Sequence, residues 1–321
     1  MTIGRRQFIQ SSLAGIGTTL LGCGSEQTTR DASHFEPGQR VRLGKTGLKV
    51  SRVGLGTGMK GGNRQSNQTR LGEEKFHALL RGCYDRGVTL FDCADLYGTH
   101  SYILPALKGI PREKYALVSK IWFPSGGLPE PERPDADVVV ERFLKELGTD
   151  YIDIIQIHCM TQPDWTGKME KQMNLMDGLK KKGLLLAHGV SCHSLAALDA
   201  AAEHPWVDCI HTRINPYGVA MDDTPAKVVP VLQKAHANGK GIIGMKIIGE
   251  GKFRASDEQR NSSIDFVMNL GCVDTVIIGF ENLDEVDDFS TRLRNTPKRL
   301  LPLQPSATVA VTPSDLDLRL A

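Results

Sequence analysis

The 321-residue sequence predicts an α/β fold, a single (β/α)8 TIM barrel. Three observations point there. Short apolar runs alternate with longer amphipathic ones, the pattern of βα units around a parallel sheet. The pattern recurs in eight units of roughly 30 residues, a normal complement for this barrel. The rival doubly wound fold needs G-x-G-x-x-G opening a helix directly after the first strand. Here Gly54-Leu55-Gly56-Thr57-Gly58 follows that strand, but the next stretch, Lys60 to Gly72, is polar and loop-like.

The chain begins with a segment outside the barrel pattern. Arg5-Arg6-Gln7-Phe8 precedes a short apolar run from Ser11 to Gly22, then Cys23. A charged head, a short apolar stretch and small residues before a cut describe a secretion signal. The run is too short to span a bilayer. The paired arginines resemble a twin-arginine signal, and Leu20-Leu21-Gly22-Cys23 resembles a lipoprotein box. These resemblances imply a signal peptide over 1–22 and an exported, periplasmic or cell-surface protein of a bacterium. Its membrane anchor would be a lipid on Cys23, with a polar tether over 23–40. Lys plus Arg number 39 and Asp plus Glu 37. Removal of 1–22 takes two arginines and no acid, leaving a formal balance of zero. Such a chain offers no cationic field for nucleic acid. Six of its seven cysteines lie beyond Cys23, in neither a C-x-x-C pair nor a compact disulfide framework.

Residues 41–293 carry the barrel. Strands are predicted at Val50–Leu55, Val88–Phe91, Tyr115–Ser119, Ile152–Ile157, Leu185–Val190, Cys209–Thr212, Ile242–Met245 and Thr275–Ile278, rich in Val, Ile and Leu as strands covered on both faces are. Helical periodicity fills gaps between them. Glu73–Asp85 aligns Phe76, Leu79, Leu80 and Cys83. Asp135–Leu147 aligns Val138, Val139, Phe143 and Leu147, with Asp135 or Asp137 as cap. Met169–Lys181 carries Met173, Met176 and Leu179 and stops at Gly183. Pro225–His236 follows Thr224, a cap-then-proline start. Ser263–Leu270 and Leu283–Phe289 complete the set. Trp122 to Pro134 and Met160 to Lys168, with Trp165, are candidate mouth loops, and 294–321 is expected to form a covering tail.

In this architecture chemistry sits at the carboxyl ends of strands. Asp92 ends the second strand and Tyr97 follows five residues later; Lys120 ends the third and His158 the fourth. Free tyrosine is a poor acid near neutrality. A neighbouring ammonium eases its ionisation. Lys120 can supply that charge, Asp92 can hold Lys120, and His158 can orient a carbonyl oxygen. A dinucleotide would supply hydride.

The residues now support a resemblance. Arg42-Leu43-Gly44-Lys45-Thr46-Gly47, the Phe91-Asp92…Tyr97-Gly98 motif, Ser119-Lys120, and Asp150-Tyr151-Ile152-Asp153…Ile157-His158 are together similar to the aldo-keto reductases, from about Val41 to Phe289. The resemblance implies an oxidoreductase moving hydride between NAD or NADP and a carbonyl or alcohol substrate. Tyr97 would be the general acid/base, tuned by Lys120 and Asp92, with His158 orienting the substrate. Its cofactor positions fall on Gly56, Thr57, Ser191, Cys192, His211, Met245, Lys246, Gly279 and Glu285. Three depart from the family pattern: Cys192 replaces an asparagine, His211 a glutamine and Met245 a stacking tyrosine. Glu281 would repel a 2′-phosphate, so NADH is allowed and no strong NADPH preference is expected. A bound metal is not expected, although zinc could use His158, Cys159, Cys192, His193, Cys209 and His211 in principle. Strand alternation turns neighbours to opposite faces, and Cys93 and Cys159 are expected to face the helices. The alternative function is a cell-surface binding protein on a reductase scaffold with weak or no catalysis.

Overall fold

The structure, a computed structural model, describes residues 34–299. The signal, Cys23 and the greater part of the C-terminal tail lie outside the described residues. From His34 onward the chain already packs on the barrel: Phe35 is buried in the main core, and Val53 N–H donates to Pro37 O. Residues 34–40, read from sequence as the end of a tether, therefore belong to the folded body. At the other end Thr296 is likewise buried.

An antiparallel hairpin comes first, β1 (Arg40–Arg42) with β2 (Lys49–Ser51). Its Leu43 and Val50 are fully buried among Leu90, Val118, Ile154, Ala187 and Ile243, so the hairpin caps the amino-terminal end of the barrel interior. The approach is close at Gly44. Its φ is +48°, and a Cβ there would lie 2.4 Å from Gly241 N. Only glycine meets both demands.

Eight parallel strands then close the barrel: β3 (Val53–Gly56), β4 (Leu90–Asp92), β5 (Ala116–Ile121), β6 (Ile152–Met160), β7 (Leu185–Cys192), β8 (Cys209–Arg213), β9 (Gly241–Met245) and β10 (Thr275–Ile278), which pairs back onto β3. The predicted first strand, Val50–Leu55, is in fact split at Arg52. Val50 and Ser51 belong to the hairpin, and the barrel strand begins at Val53. One irregularity interrupts β6, where the register with β7 shifts between Ile157 and Met160 and Cys159 takes φ +62°. Bulges of this kind re-aim side chains near barrel rims.

The helices are α1 (Asn67–Arg70), α2 (Glu73–Asp85), α3 (His100–Ala106), α4 (Ala136–Leu147), α5 (Trp165–Lys168), α6 (Glu170–Lys181), α7 (Leu195–Glu203), α8 (Pro225–Ala237), α9 (Asp257–Met268) and α10 (Leu283–Arg294). In α2 the predicted face, Phe76, Leu79, Leu80 and Cys83, is the buried one. In α4 Val139, Phe143 and Leu147 are buried as expected, but Val138 is 56% exposed and Val140 takes its place. Asp135 precedes α4 without capping it; its carboxylate accepts from Lys171 and Gln172 instead. Gly148, in the left-handed region at φ +60°, ends that helix. Sequence periodicity missed α7, whose Leu-Ala-Ala-Leu-Asp-Ala-Ala-Ala-Glu run is too alanine-rich to show a face, and began α9 six residues late. Trp165 does not line the mouth: it is buried, and its indole N–H donates to Ala197 O. Among the described residues no helix is long and apolar enough to cross a membrane.

Candidate active site

The carboxyl ends of β4, β5, β6 and β8 bring one group of ionisable side chains together. Asp92, the last residue of β4, and Lys120, on β5, are both nearly inaccessible. The Lys120 ammonium donates to Asp92 Oδ1 by a short hydrogen bond and to Cys93 O at 3.0 Å. Burial alone would raise the Asp92 carboxyl, but Lys120 and then His211 outweigh it and bring the carboxyl down to about 2. After β4 a single tight turn, Asp95–Tyr97, lifts Tyr97 over this pair. The Lys120 Nζ lies 5.2 Å from the centre of the Tyr97 ring. The phenol oxygen sits 3.4 Å from His158 Nε2 of β6, with the two rings edge to face. The four residues expected to act together are thus neighbours. One detail differs from the sequence reading: Lys120 faces the Tyr97 ring, and its hydrogen bonds go to Asp92 and Cys93. Burial, then the charge of Asp92, hold the phenol well above its usual value. Burial, then Lys120, hold His158 well below its own, so its imidazole is neutral.

Residues not singled out from sequence set this geometry. Gly58 and Gly61, in the loop after β3, lie against the Tyr97 ring so closely that a Cβ would come within 2.3 Å and 2.5 Å of ring atoms. Larger residues there would push the phenol aside. Beneath the same turn Asp95 is buried between two arginines, accepting from Arg64 at 3.3 Å and from Arg142 at 2.7 Å. Arg142 continues to Glu146, Glu146 to His100, and His100 to Ser119, the neighbour of Lys120. Arg64 also reaches Glu130 at 2.8 Å, joining the loops after β3 and β5. Apart from Arg142 and Glu146, four apart on α4, helical and strand patterns carry no trace of this chain, because its members lie on six different segments.

Beside Tyr97 opens a groove of about 540 Å³, within the range of small-molecule sites. It runs past Gly56, Met245, Lys246, Gly279 and Glu285, five of the nine expected cofactor residues. The other four stand elsewhere. Thr57 is turned inward, donating to Asp92 O and sharing a 2.8 Å contact with Thr99. Cys192 packs in the apolar layer beneath the helices, where burial pushes its thiol well up. The Ser191 hydroxyl accepts from Cys159 N–H at the bulge. His211 points at Asp92, 3.1 Å away.

A dinucleotide fits the groove's chemistry. Gly56 and Gly279 leave room where a Cβ would project, packed 3.6 Å from Ile278 and 3.4 Å from Met59 respectively. Lys246 and Arg254 on its wall are cations suited to phosphates. Arg254 also pairs with Glu281 at 3.2 Å and Glu285 at 3.0 Å. Lys246 and Glu250 both hold positive φ while pairing at 2.8 Å, local strain of the sort that collects at functional loops. Above Tyr97, Trp122 and His193 flank His158 with ring centres 5.2 Å and 6.5 Å away. Among the described residues no three His, Cys, Asp or Glu side chains form a group able to hold a metal, and the six cysteines are free thiols. Cys93 lies in the layer facing the helices, as expected, whereas Cys159 is partly exposed.

Comparison with known proteins identifies the family and the fold. A profile of the aldo/keto reductase family matches residues 52–269. An aldo-keto reductase of Alternaria alternata is 28% identical over 254 residues, covering 69% of this chain and 68% of that protein. Aldo-keto reductase YhdN of Bacillus subtilis is 30% identical over 195 residues, 59% of this chain and 56% of its own length. A solved Pseudomonas aeruginosa structure, assigned as an aldo-keto reductase, superposes with a TM-score of 0.65 at 26% identity. That match covers 85% of this chain and 99% of the other.

Proposed function

The chain belongs to the aldo/keto reductase family, whose members are NAD(P)-dependent oxidoreductases, and from that premise we propose that Tyr97 is the proton donor and acceptor of a carbonyl–alcohol interconversion. The observation that carries this reading is the convergence of Tyr97 Oη and His158 Nε2, 3.4 Å apart, beside a groove of dinucleotide size, with the Asp92–Lys120 pair behind the phenol. A nicotinamide held in that groove would supply hydride. Everything else falls to the protein.

A substrate oxygen lying between Tyr97 and His158 receives a hydrogen bond from each, because the neutral imidazole carries one N–H and the phenol one O–H. His158 polarises and orients the carbonyl. Tyr97 gives its proton to the oxygen as negative charge develops there, and Lys120, close to the ring, lessens the cost of the phenolate left behind. With the phenol pushed above its usual value, the resting form at neutral pH is the protonated one. That form donates, so the resting site is ready for carbonyl reduction.

Gly56, Met245, Lys246, Gly279 and Glu285 would hold the dinucleotide. Glu281 and Glu285 share one guanidinium, Arg254. Two carboxylates against one cation favour a ribose diol over a 2′-phosphate, which supports NADH as a cofactor. For the substrate we propose a small carbonyl compound or alcohol. The amino-terminal sequence supports export, with Cys23 as the lipid-bearing residue. Cys23→Ala releasing the protein from membranes would support that anchor, and release of the unaltered protein by salt alone would exclude it.

The test is oxidation of NADH and NADPH with a panel of aldehydes and ketones. Tyr97→Phe is expected to lower turnover about 10²- to 10⁴-fold, the usual share of a positioned acid, while cofactor binding measured by fluorescence stays unchanged. Undiminished turnover in Tyr97→Phe would overturn the assignment.

A further inference from the structure

We propose that His211 is a positioning residue of the proton-transfer group, acting on Tyr97 through Asp92, and not a holder of the cofactor. This deepens the proposed function and rests on it for its kinetic test.

In the closed barrel β8 stands opposite β4, four strands away in either direction. The fully buried His211 side chain reaches across the interior and brings Nε2 to 3.1 Å from Asp92 Oδ1, the oxygen that also receives the Lys120 ammonium. The contact is a close approach outside hydrogen-bond geometry, and both ring nitrogens are buried without a hydrogen-bond partner among the described residues. His211 does not border the groove beside Tyr97. With Asp92 Oδ1 at 3.1 Å and no competing partner among the described residues, a small rotation of the ring lets Nε2 donate its N–H to that carboxylate.

Burial keeps His211 neutral, with Asp92 opposing that shift only in part. The ring then holds a single proton, and the contact with Asp92 fixes it on Nε2. A neutral donor on Asp92 draws carboxylate charge away from Lys120 and screens that charge from Tyr97. Asp92 is the charge that opposes ionisation of Tyr97 most strongly after burial itself. Tyr97 is faced by Asp92 at the end of β4 and Cys93 just after it, by Lys120 from β5, and by His158 and Cys159 from β6. His211 is faced by Asp92 and Lys120, and His158 is faced in turn by Lys120, His193, Asp92 and His211. Among these, His211 is the neutral donor placed to act on Asp92 without touching Tyr97. Loss of its N–H should therefore make the phenolate harder to form.

The experiment measures alcohol oxidation against pH for the wild type, His211→Leu, His211→Asn and His211→Gln, with NADH and NADPH dissociation constants measured alongside. His211→Leu and the shorter His211→Asn remove the donor from Asp92, while His211→Gln keeps an N–H of similar reach. The expected result is an upward move of the rising limb by about one pH unit in His211→Asn and His211→Leu, tenfold in rate below the midpoint. His211→Gln should return the limb to its wild-type position, and cofactor affinity should change less than about twofold. If His211→Leu does not fold, the Asn and Gln pair decides alone. An unmoved limb with cofactor affinity weakened tenfold would overturn the proposal and make His211 a cofactor contact. A second measurement needs no turnover: ¹⁵N resonances of His211 should show a neutral ring protonated at Nε2 from pH 7 to 9, and a ring protonated at Nδ1 would also overturn the proposal. Failure of the wild-type protein to bind cofactor or reduce any carbonyl would count against the proposed function, with the His211 resonance still deciding its contact to Asp92.

Discussion

Replacing Lys120 by methionine isolates the centre of the site. Lys120 is 1% exposed and Asp92 2%, so water cannot take over from either partner. The carboxyl is held at about 2 against an ordinary 3.8. That depression is worth about 2 kcal/mol of folding stability, present above the ordinary value and lost as pH falls from 3.8 towards 2. In Lys120→Met the carboxylate keeps its burial and loses its main compensation. Breaking one side of a buried pair costs about 3–5 kcal/mol, equivalent at this size to a fall in Tm of roughly 6–20 °C. Asp92→Asn in the same background removes the stranded charge and should recover most of that loss. Urea unfolding of the wild type, both single variants and the double variant at pH 7 and pH 5 gives the coupling. Two signs are expected: a coupling of at least about 2 kcal/mol, and a Lys120→Met deficit that shrinks at pH 5 as Asp92 takes a proton. Additive effects, or a deficit below about 1 kcal/mol at both pH values, would refute the picture of a dry, mutually dependent pair.

Three further outcomes follow from the same geometry. Because burial and Asp92 raise the Tyr97 phenol, alcohol oxidation, which needs the deprotonated form, should climb with pH through 9 and beyond, while carbonyl reduction should hold steady from pH 6 to 9; paired pH–rate profiles check this. Gly58→Ala places a methyl within 2.3 Å of the Tyr97 ring, so it should lower kcat about 10²-fold with cofactor affinity nearly unchanged, seen in steady-state kinetics alongside fluorescence titration. Glu281→Gln removes one of the two carboxylates that share Arg254, so it should shift the ratio of NADH to NADPH dissociation constants towards NADPH by about 3- to 10-fold, and a wild-type preference for NADPH above a hundredfold would contradict the reading of that corner.

The barrel was legible because its strands are nearly continuous Val, Ile and Leu, and Asp92, Lys120 and His158 could be placed because each directly ends such a run. Tyr97 was legible as a motif, but not its orientation, which depends on Gly58 and Gly61 pressing on the ring from another loop. The strand ends also hid which way side chains turn. Ser191 and Cys192 stand together in sequence, yet one holds the bulge at Cys159 and the other faces the helices. Thr57 looked like a mouth residue and instead ties β3 to Asp92 O and Thr99. His211 fell on a position read as a cofactor contact, because position along a strand does not tell how far a side chain crosses the interior. Of the Arg64–Asp95–Arg142–Glu146–His100 chain only Arg142–Glu146, four apart on α4, left a pattern; its other pairs join separate segments.

The amino-terminal hairpin has one more consequence. With Leu43 and Val50 wedged among Leu90, Val118 and Cys209, the layer one step below Asp92, Lys120 and His211 on their own strands is hydrocarbon and thiol. Such an underlayer lowers the local dielectric, so the attraction between the carboxylate and the ammonium is stronger than it would be over a solvated floor.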